Sequence, residues 1–154
     1  MKKIVLEKKK EEKQNNSLPL EYYNKENHQE YINKLLLNES YEHDNKIRKE
    51  IESKVRGYIQ QDKRKNREDT YITPEETIEK LVISQLKCRY CCCQLKLLYT
   101  IKRDDEQWTL DRIDNDKAHT KDNVIVSCLK CNLKRRRINK DKFEFTKKLH
   151  IVKI

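Results

Sequence analysis

Apolar residues mark out a few short elements in a chain that is otherwise polar. Ile47, Ile51, Val55 and Ile59 recur every four residues with charges between them. That spacing places one apolar stripe on a helix from about Glu42 to Asp62. Leu20, Tyr23, Tyr31, Ile32, Leu35 and Leu36 have roughly helical spacing just before it. The two stripes predict helices that pack on each other or on the rest of the domain. Thr73-Pro74-Glu75-Glu76 reads as a helix start: a capping hydroxyl, proline at the first helical position and acids in the first turn. Ile78, Leu81, Val82 and Leu86 continue that helix. Leu95–Ile101 and Trp108–Ile113 predict two strands, as in a hairpin, and Val124–Val126 a third. From about Leu129 to Asn139 the pattern is a basic helix. Phe143, Phe145, Leu149 and Val152 suggest a last short element folded back on the core.

Composition limits the core these elements can share. Of 154 residues, 40% are charged and 35% hydrophobic, and the mean hydropathy is -1.11. The length suits one domain with an appendage, but the polarity is too high for a large core throughout. A small metal-stapled domain fits, because ion binding supplies folding energy that a thin core lacks. The predicted organisation is a disordered charged tail over residues 1–19, a helical region over 20–72, a zinc domain over 73–140 and a basic tail or short element over 141–154. The apolar run after Met1-Lys-Lys breaks after three residues, and no stretch approaches a membrane span. An intracellular, reducing setting is therefore expected, not secretion.

The net charge of +10 is unevenly placed. Residues 127–154 hold ten Lys or Arg against two acids, whereas residues 76–126 are balanced. A local basic block points to a polyanionic partner, nucleic acid first. Lys130, Lys134, Arg135, Arg136 and Arg137 are the candidate backbone contacts.

Six cysteines sharpen the picture. Cys88-Arg-Tyr-Cys91 and Cys128-Leu-Lys-Cys131 are two C-x2-C pairs. Together they make a four-thiolate shell of the kind zinc accepts in closed structural sites. Cys92 offers a second register for the first pair, with three intervening residues; Cys91 matches the spacing of the second pair.

Between the pairs lie Trp108-Thr-Leu-Asp-Arg-Ile-Asp-Asn115 and Asn123-Val-Ile-Val-Ser-Cys128, with Asn132 directly after the last cysteine. If the strand at 108–113, the strand at 123–127 and the helix from 129 pack as ββα, Asp111 and Asn132 face each other. Their hard oxygens suit Mg²⁺ or Mn²⁺, and such an ion can stabilise the leaving oxygen of a phosphodiester.

Residues 88–137 resemble the HNH endonuclease family, in the subgroup whose ββα-metal fold carries two zinc knuckles. The resemblance rests on Cys88-x2-Cys91, Leu110-Asp111-Arg112-Ile113-Asp114, Asn123-Val-Ile-Val and Cys128-x2-Cys131-Asn132-x2-Arg135. It implies an α+β protein: a zinc-stapled ββα-metal domain behind a charged helical region. It further implies that Asp111 and Asn132 hold the catalytic ion and that Asn123 orients the base and its loop. The family's general base falls at Arg112. A guanidinium stays protonated at neutral pH, so it can bind phosphate but not take a proton. His119, seven residues on, has the right ordinary pKa to replace it.

The expected activity is a metal-dependent DNA endonuclease or nickase, with RNA as the alternative partner. Two other classes stay open: a nucleic-acid-binding module that has lost its base, and a zinc-stabilised protein-interaction module docking through the helix at 42–62. Residues 20–72 could dimerise the protein or choose its target.

Overall fold

The computed structural model describes residues 17–149. The expected tail over residues 1–19 lies almost wholly outside them, as does Val152. Where that tail is described it is ordered: Leu18 is buried and the Ser17 hydroxyl donates to Glu50 at 2.9 Å.

Two short 3-10 turns, Leu20–Tyr23 and Lys25–Asn27, lead into α1, His28–Leu36. α2 spans Asp44–Arg64 and buries Ile47, Ile51 and Val55, as its stripe predicts. Each such burial is worth about 2 kcal/mol, so this stripe is part of the core. α3, Pro74–Ile83, begins at a reciprocal capping box: Thr73 Oγ1 accepts from the Glu76 N–H at 3.1 Å, and the Glu76 carboxylate accepts from the Thr73 N–H at 3.0 Å. β1, Trp108–Arg112, pairs antiparallel with β2, Val124–Cys128, placing Asp111 opposite Ile125. α4, Leu129–Arg135, follows β2 directly, and α5, Lys140–Lys148, closes the described chain.

A two-stranded sheet has two open edges, and both are covered here. α2 covers β1: Tyr58 Oη accepts the Leu110 N–H at 3.2 Å, and Lys54 Nζ donates to the Trp108 carbonyl. On the far edge, the Val126 carbonyl accepts from the Arg89 N–H at 3.0 Å and the Val124 carbonyl from Lys80 Nζ at 3.2 Å. Helices α2 and α3 thus flank the ββα unit as its sides, and one apolar cluster runs through all of them from Leu18 to Phe143.

Two elements differ from expectation, each for a visible reason, and one of two alternatives for the last segment is settled. Residues 95–101 form no strand. Pairing stops at an isolated bridge, Lys96 with Gln107, because side chains take the next residue: His28 Nδ1 accepts the Leu97 N–H at 3.0 Å, and Trp108 Nε1 donates to the Leu97 carbonyl at 3.2 Å. The segment buries Leu95, Leu97 and Leu98 without ladder pairing. The basic helix stops at Arg135, because Arg136 turns to φ 50° and breaks it. The last apolar residues form α5, whose Phe143 meets the Tyr90 ring edge-on at 4.8 Å. α5 is thus the short element folded back on the core, in place of a basic tail.

Candidate metal centre and active-site cleft

The first cysteine pair sits in a tight loop after α3. Its turn is closed by two backbone bonds, Cys88 N–H to the Cys93 carbonyl and Cys92 N–H to the Cys88 carbonyl, both 3.0 Å. Cys92 adopts φ 59°, a left-handed conformation usually given to glycine. Cys92 is exposed, as is Cys91.

The second pair lies where β2 becomes α4. Cys128 is the N-cap of that helix, and its Sγ accepts the Cys131 N–H at 3.3 Å. The Sγ atoms of Cys88, Cys91, Cys128 and Cys131 all lie within 4.8 Å of one another. Among the described residues, all six cysteines are free thiols. A tetrahedral shell with Zn–S bonds of about 2.3 Å has edges of about 3.8 Å, and Cys91 Sγ stands 3.8 Å from Cys128 Sγ. These four cysteines can hold a metal ion, in the register that excludes Cys92.

On the other side of α4 opens a cleft of about 370 Å³. Its lining brings together Asp111, Arg112, His119, Asn132 and Arg136, with Tyr58 from α2. The gathering follows from strand alternation. Thr109 and Asp111 share the face of β1 that meets α4: Asn132 Nδ2 donates to Thr109 Oγ1 at 3.1 Å, and Arg135 NH1 donates to Asp111 Oδ1 at 2.9 Å.

Asp111 is not a free ligand. Its other oxygen, Oδ2, accepts a 2.6 Å hydrogen bond from Tyr90 Oη, and the carboxylate is almost fully buried. Arg135, expected on the phosphate backbone, is 1% exposed. Besides Asp111, its guanidinium binds the carbonyls of Arg112, of Ile113 at 2.8 Å and of Ile138 at 2.9 Å. It is a buried clamp between α4 and the end of β1. Lys130, Lys134, Arg136 and Arg137 are exposed, as a backbone-contacting surface needs.

Arg112 and Asn123 hold the loop after β1. Arg112 NH1 donates to the carbonyls of Asn115 at 2.7 Å and Lys117 at 3.2 Å. Asn123 Oδ1 accepts the Asp114 N–H at 2.9 Å, while its Nδ2 donates to the Asp114 and Ala118 carbonyls at 3.0 and 2.9 Å. Asp114 itself accepts from the Asp116 N–H, a turn role.

The clamped loop delivers His119 to the cleft wall. Its Nδ1 and its backbone N–H both lie 2.8 Å from Asp62 Oδ2, at the last turn of α2. Its carbonyl accepts the Ile72 N–H at 2.8 Å, and its ring lies 4.6 Å from that of Tyr58. Burial pushes the imidazole below its ordinary range, against the upward pull of Asp62. Asp62 and Tyr58 lie outside the sequence motif, and Tyr90 lies within its first cysteine pair. Asp62 does leave a signal: it is seven residues beyond Val55, in phase with the buried stripe.

Trp108 is buried in the core. No helix among the described residues is long and apolar enough to cross a membrane. Compared with known proteins, the chain matches no protein-family model, no curated protein and no solved structure.

Proposed function

We propose that the chain is an HNH-type endonuclease or nickase that cuts phosphodiester bonds in DNA, with His119 as general base in place of residue 112. The observation carrying this reading is the cleft itself. One opening holds an imidazole tied to a carboxylate, an amide oxygen at Asn132 and two guanidinium groups at Arg112 and Arg136. A neutral imidazole can take a proton from water while the hydroxide oxygen forms the new P–O bond. The P–O bond to the leaving oxygen breaks in the same displacement. Arg112 and Arg136 supply positive charge for the phosphate.

Zinc is the proposed ion for the four cysteines, since four soft thiolates at tetrahedral spacing suit it. Four ligands leave no place for water, so its part is to hold the knuckles together. Mg²⁺ or Mn²⁺ on Asp111 and Asn132 fits less well. Asn132 Oδ1 is available, but each Asp111 oxygen already takes a hydrogen bond, one of them from the Arg135 cation. A dication sharing that carboxylate would face a guanidinium in a poorly solvated site. No step is assigned to such an ion.

The same ion pair favours a second reading, a zinc-stabilised nucleic-acid-binding module without chemistry. Supercoiled-plasmid nicking with and without Mg²⁺ or Mn²⁺ separates the two. The nuclease reading expects nicking that falls at least about 100-fold in His119→Ala, the usual worth of a general base. Folded protein that retards the plasmid and never nicks it would establish the binding module.

A further inference from the structure

We infer that Asp62 is a positioning residue for the cleft: it holds His119 in the tautomer protonated on Nδ1, so that the Nε2 lone pair faces the opening. This rests on the reading of His119 as base and extends it to a residue outside the ββα unit. An ionised carboxylate only accepts hydrogen bonds, so the ring nitrogen 2.8 Å from Asp62 Oδ2 must carry the hydrogen. The other nitrogen, Nε2, is then unprotonated. The His119 backbone N–H donates to the same oxygen at 2.8 Å, so ring and main chain are fixed from one point.

The surroundings argue against a purely architectural role. Asp62 is fully buried. A buried carboxylate is costly unless its hydrogen bonds are complete. Here they are not: Asp62 Oδ1 and Arg67 NH1 are both buried without a hydrogen-bond partner, 3.5 Å apart. The ion pair with Arg67 makes no hydrogen bond, so the one side-chain hydrogen bond of the carboxylate goes to the imidazole. Its charge there stabilises the imidazolium formed on proton transfer. The groups facing that ring are Asp62 and Tyr58 of α2, Arg67 just beyond it, and Arg112 of β1. Asp62 raises the affinity of His119 for a proton; Arg112 and Arg67 lower it. The helical N-terminal region is thus part of the site.

Two full-chain variants, Asp62→Asn and Arg67→Gln, test this with two readouts. Long-range ¹H–¹⁵N imidazole NMR on the free protein reports the tautomer and its titration. Nicking against pH reports the base. The wild type should show the Nδ1–H tautomer. Asp62→Asn keeps an acceptor but removes the charge, so His119 should titrate lower. Nicking should fall at least about 10- to 100-fold, the scale for hydrogen-bond partners that orient metal-ligating histidines, with its acidic limb moved to lower pH and KM unchanged. Arg67→Gln should move the titration and the limb the other way, and it keeps the test open should Asp62→Asn not fold. An Nε2–H tautomer in the wild type, or a His119 titration unmoved in both variants, overturns the inference. The expected tautomer and shifts without nicking by any form would uphold Asp62 and remove His119 as base.

Discussion

The cysteine cluster and the cleft share α4, yet they are put together differently. Each half of the cluster is a local turn: Cys88 to Cys93 closes on itself, and Cys128 caps the helix that carries Cys131. Only one long-range meeting is needed. The cleft is a convergence of distant side chains. Asp111 is held by Tyr90 and Arg135, 21 and 24 residues away, and His119 by Asp62, 57 residues away. A site made of local turns fails when one ligand is removed. A site made of tertiary interactions fails by degrees, according to how deeply each one is buried.

The sharpest test of that contrast compares two cysteines. On the proposed zinc reading, Cys128→Ser should remove the cooperative thermal transition altogether, because an ion held there would join segments that the thin core cannot hold alone; structural zinc contributes on the order of 10 kcal/mol in small domains. Cys92→Ser should shift the melt by no more than about 0.5 kcal/mol, as for other exposed positions. Equal losses in both would mean that the shell uses Cys92, contrary to the 3.8 Å spacing of Cys91 and Cys128.

Next in size is Arg135. Replacing it with Leu strands the buried Asp111 charge and four hydrogen bonds of its guanidinium, and should cost about 3–5 kcal/mol in urea unfolding. Arg137→Leu, on the exposed side of the same run, should cost almost nothing. The double variant Arg135→Leu with Asp111→Leu should recover part of the loss, since no uncompensated charge remains. Should Arg135→Leu unfold like wild type, Arg135 is not the clamp its hydrogen bonds describe.

Local patterns are what the sequence conveys best. The C-x2-C spacing, the Thr73 capping box and the α2 stripe are all of this kind, and each appears at its predicted place. The strand expected at 95–101 is absent because His28 and Trp108, far apart in sequence, take the hydrogen bonds of Leu97. Arg135 reads like its basic neighbours because composition does not record direction. At 3.6 residues per turn, one arginine in a run of three can face inward. Asp62 is visible as a charge in phase with apolar residues, but its partner lies beyond any spacing rule.

A smaller effect separates the two buried histidines. His28 uses both nitrogens: Nε2 donates to the Tyr22 carbonyl at 2.9 Å while Nδ1 accepts from Leu97. Protonating Nδ1 would set two N–H groups against each other, and burial lowers the His28 pKa from 6.5 to about 4. Between those values the unfolded chain binds the proton and the folded one does not. Stability is therefore complete above pH 6.5 and declines as pH falls toward 4, by about 3 kcal/mol. Urea midpoints at pH 7 and 4.5 should show this drop in the wild type and a flatter profile in His28→Gln. Parallel profiles would assign the acid sensitivity elsewhere.

The least effect on stability is expected from the exposed cations of α4 and its end. Lys130, Lys134, Arg136 and Arg137 lie outside the buried core, so changing all four to Gln should leave the melt nearly unmoved. On the proposed nucleic-acid reading their work is electrostatic. Each phosphate interaction removed should reduce the slope of log affinity against log salt by about 0.9 on duplex DNA. The fall in affinity should be alike for unrelated sequences, because backbone contacts carry no base information. Arg136 alone should behave otherwise. It lines the cleft at φ 50°, and its carbonyl accepts from Asn115 Nδ2 at 3.4 Å. Arg136→Gln should therefore slow nicking more than it weakens binding, whereas Lys130→Gln should weaken binding only. Equal effects of the two on nicking would place the reacting phosphate away from the cleft.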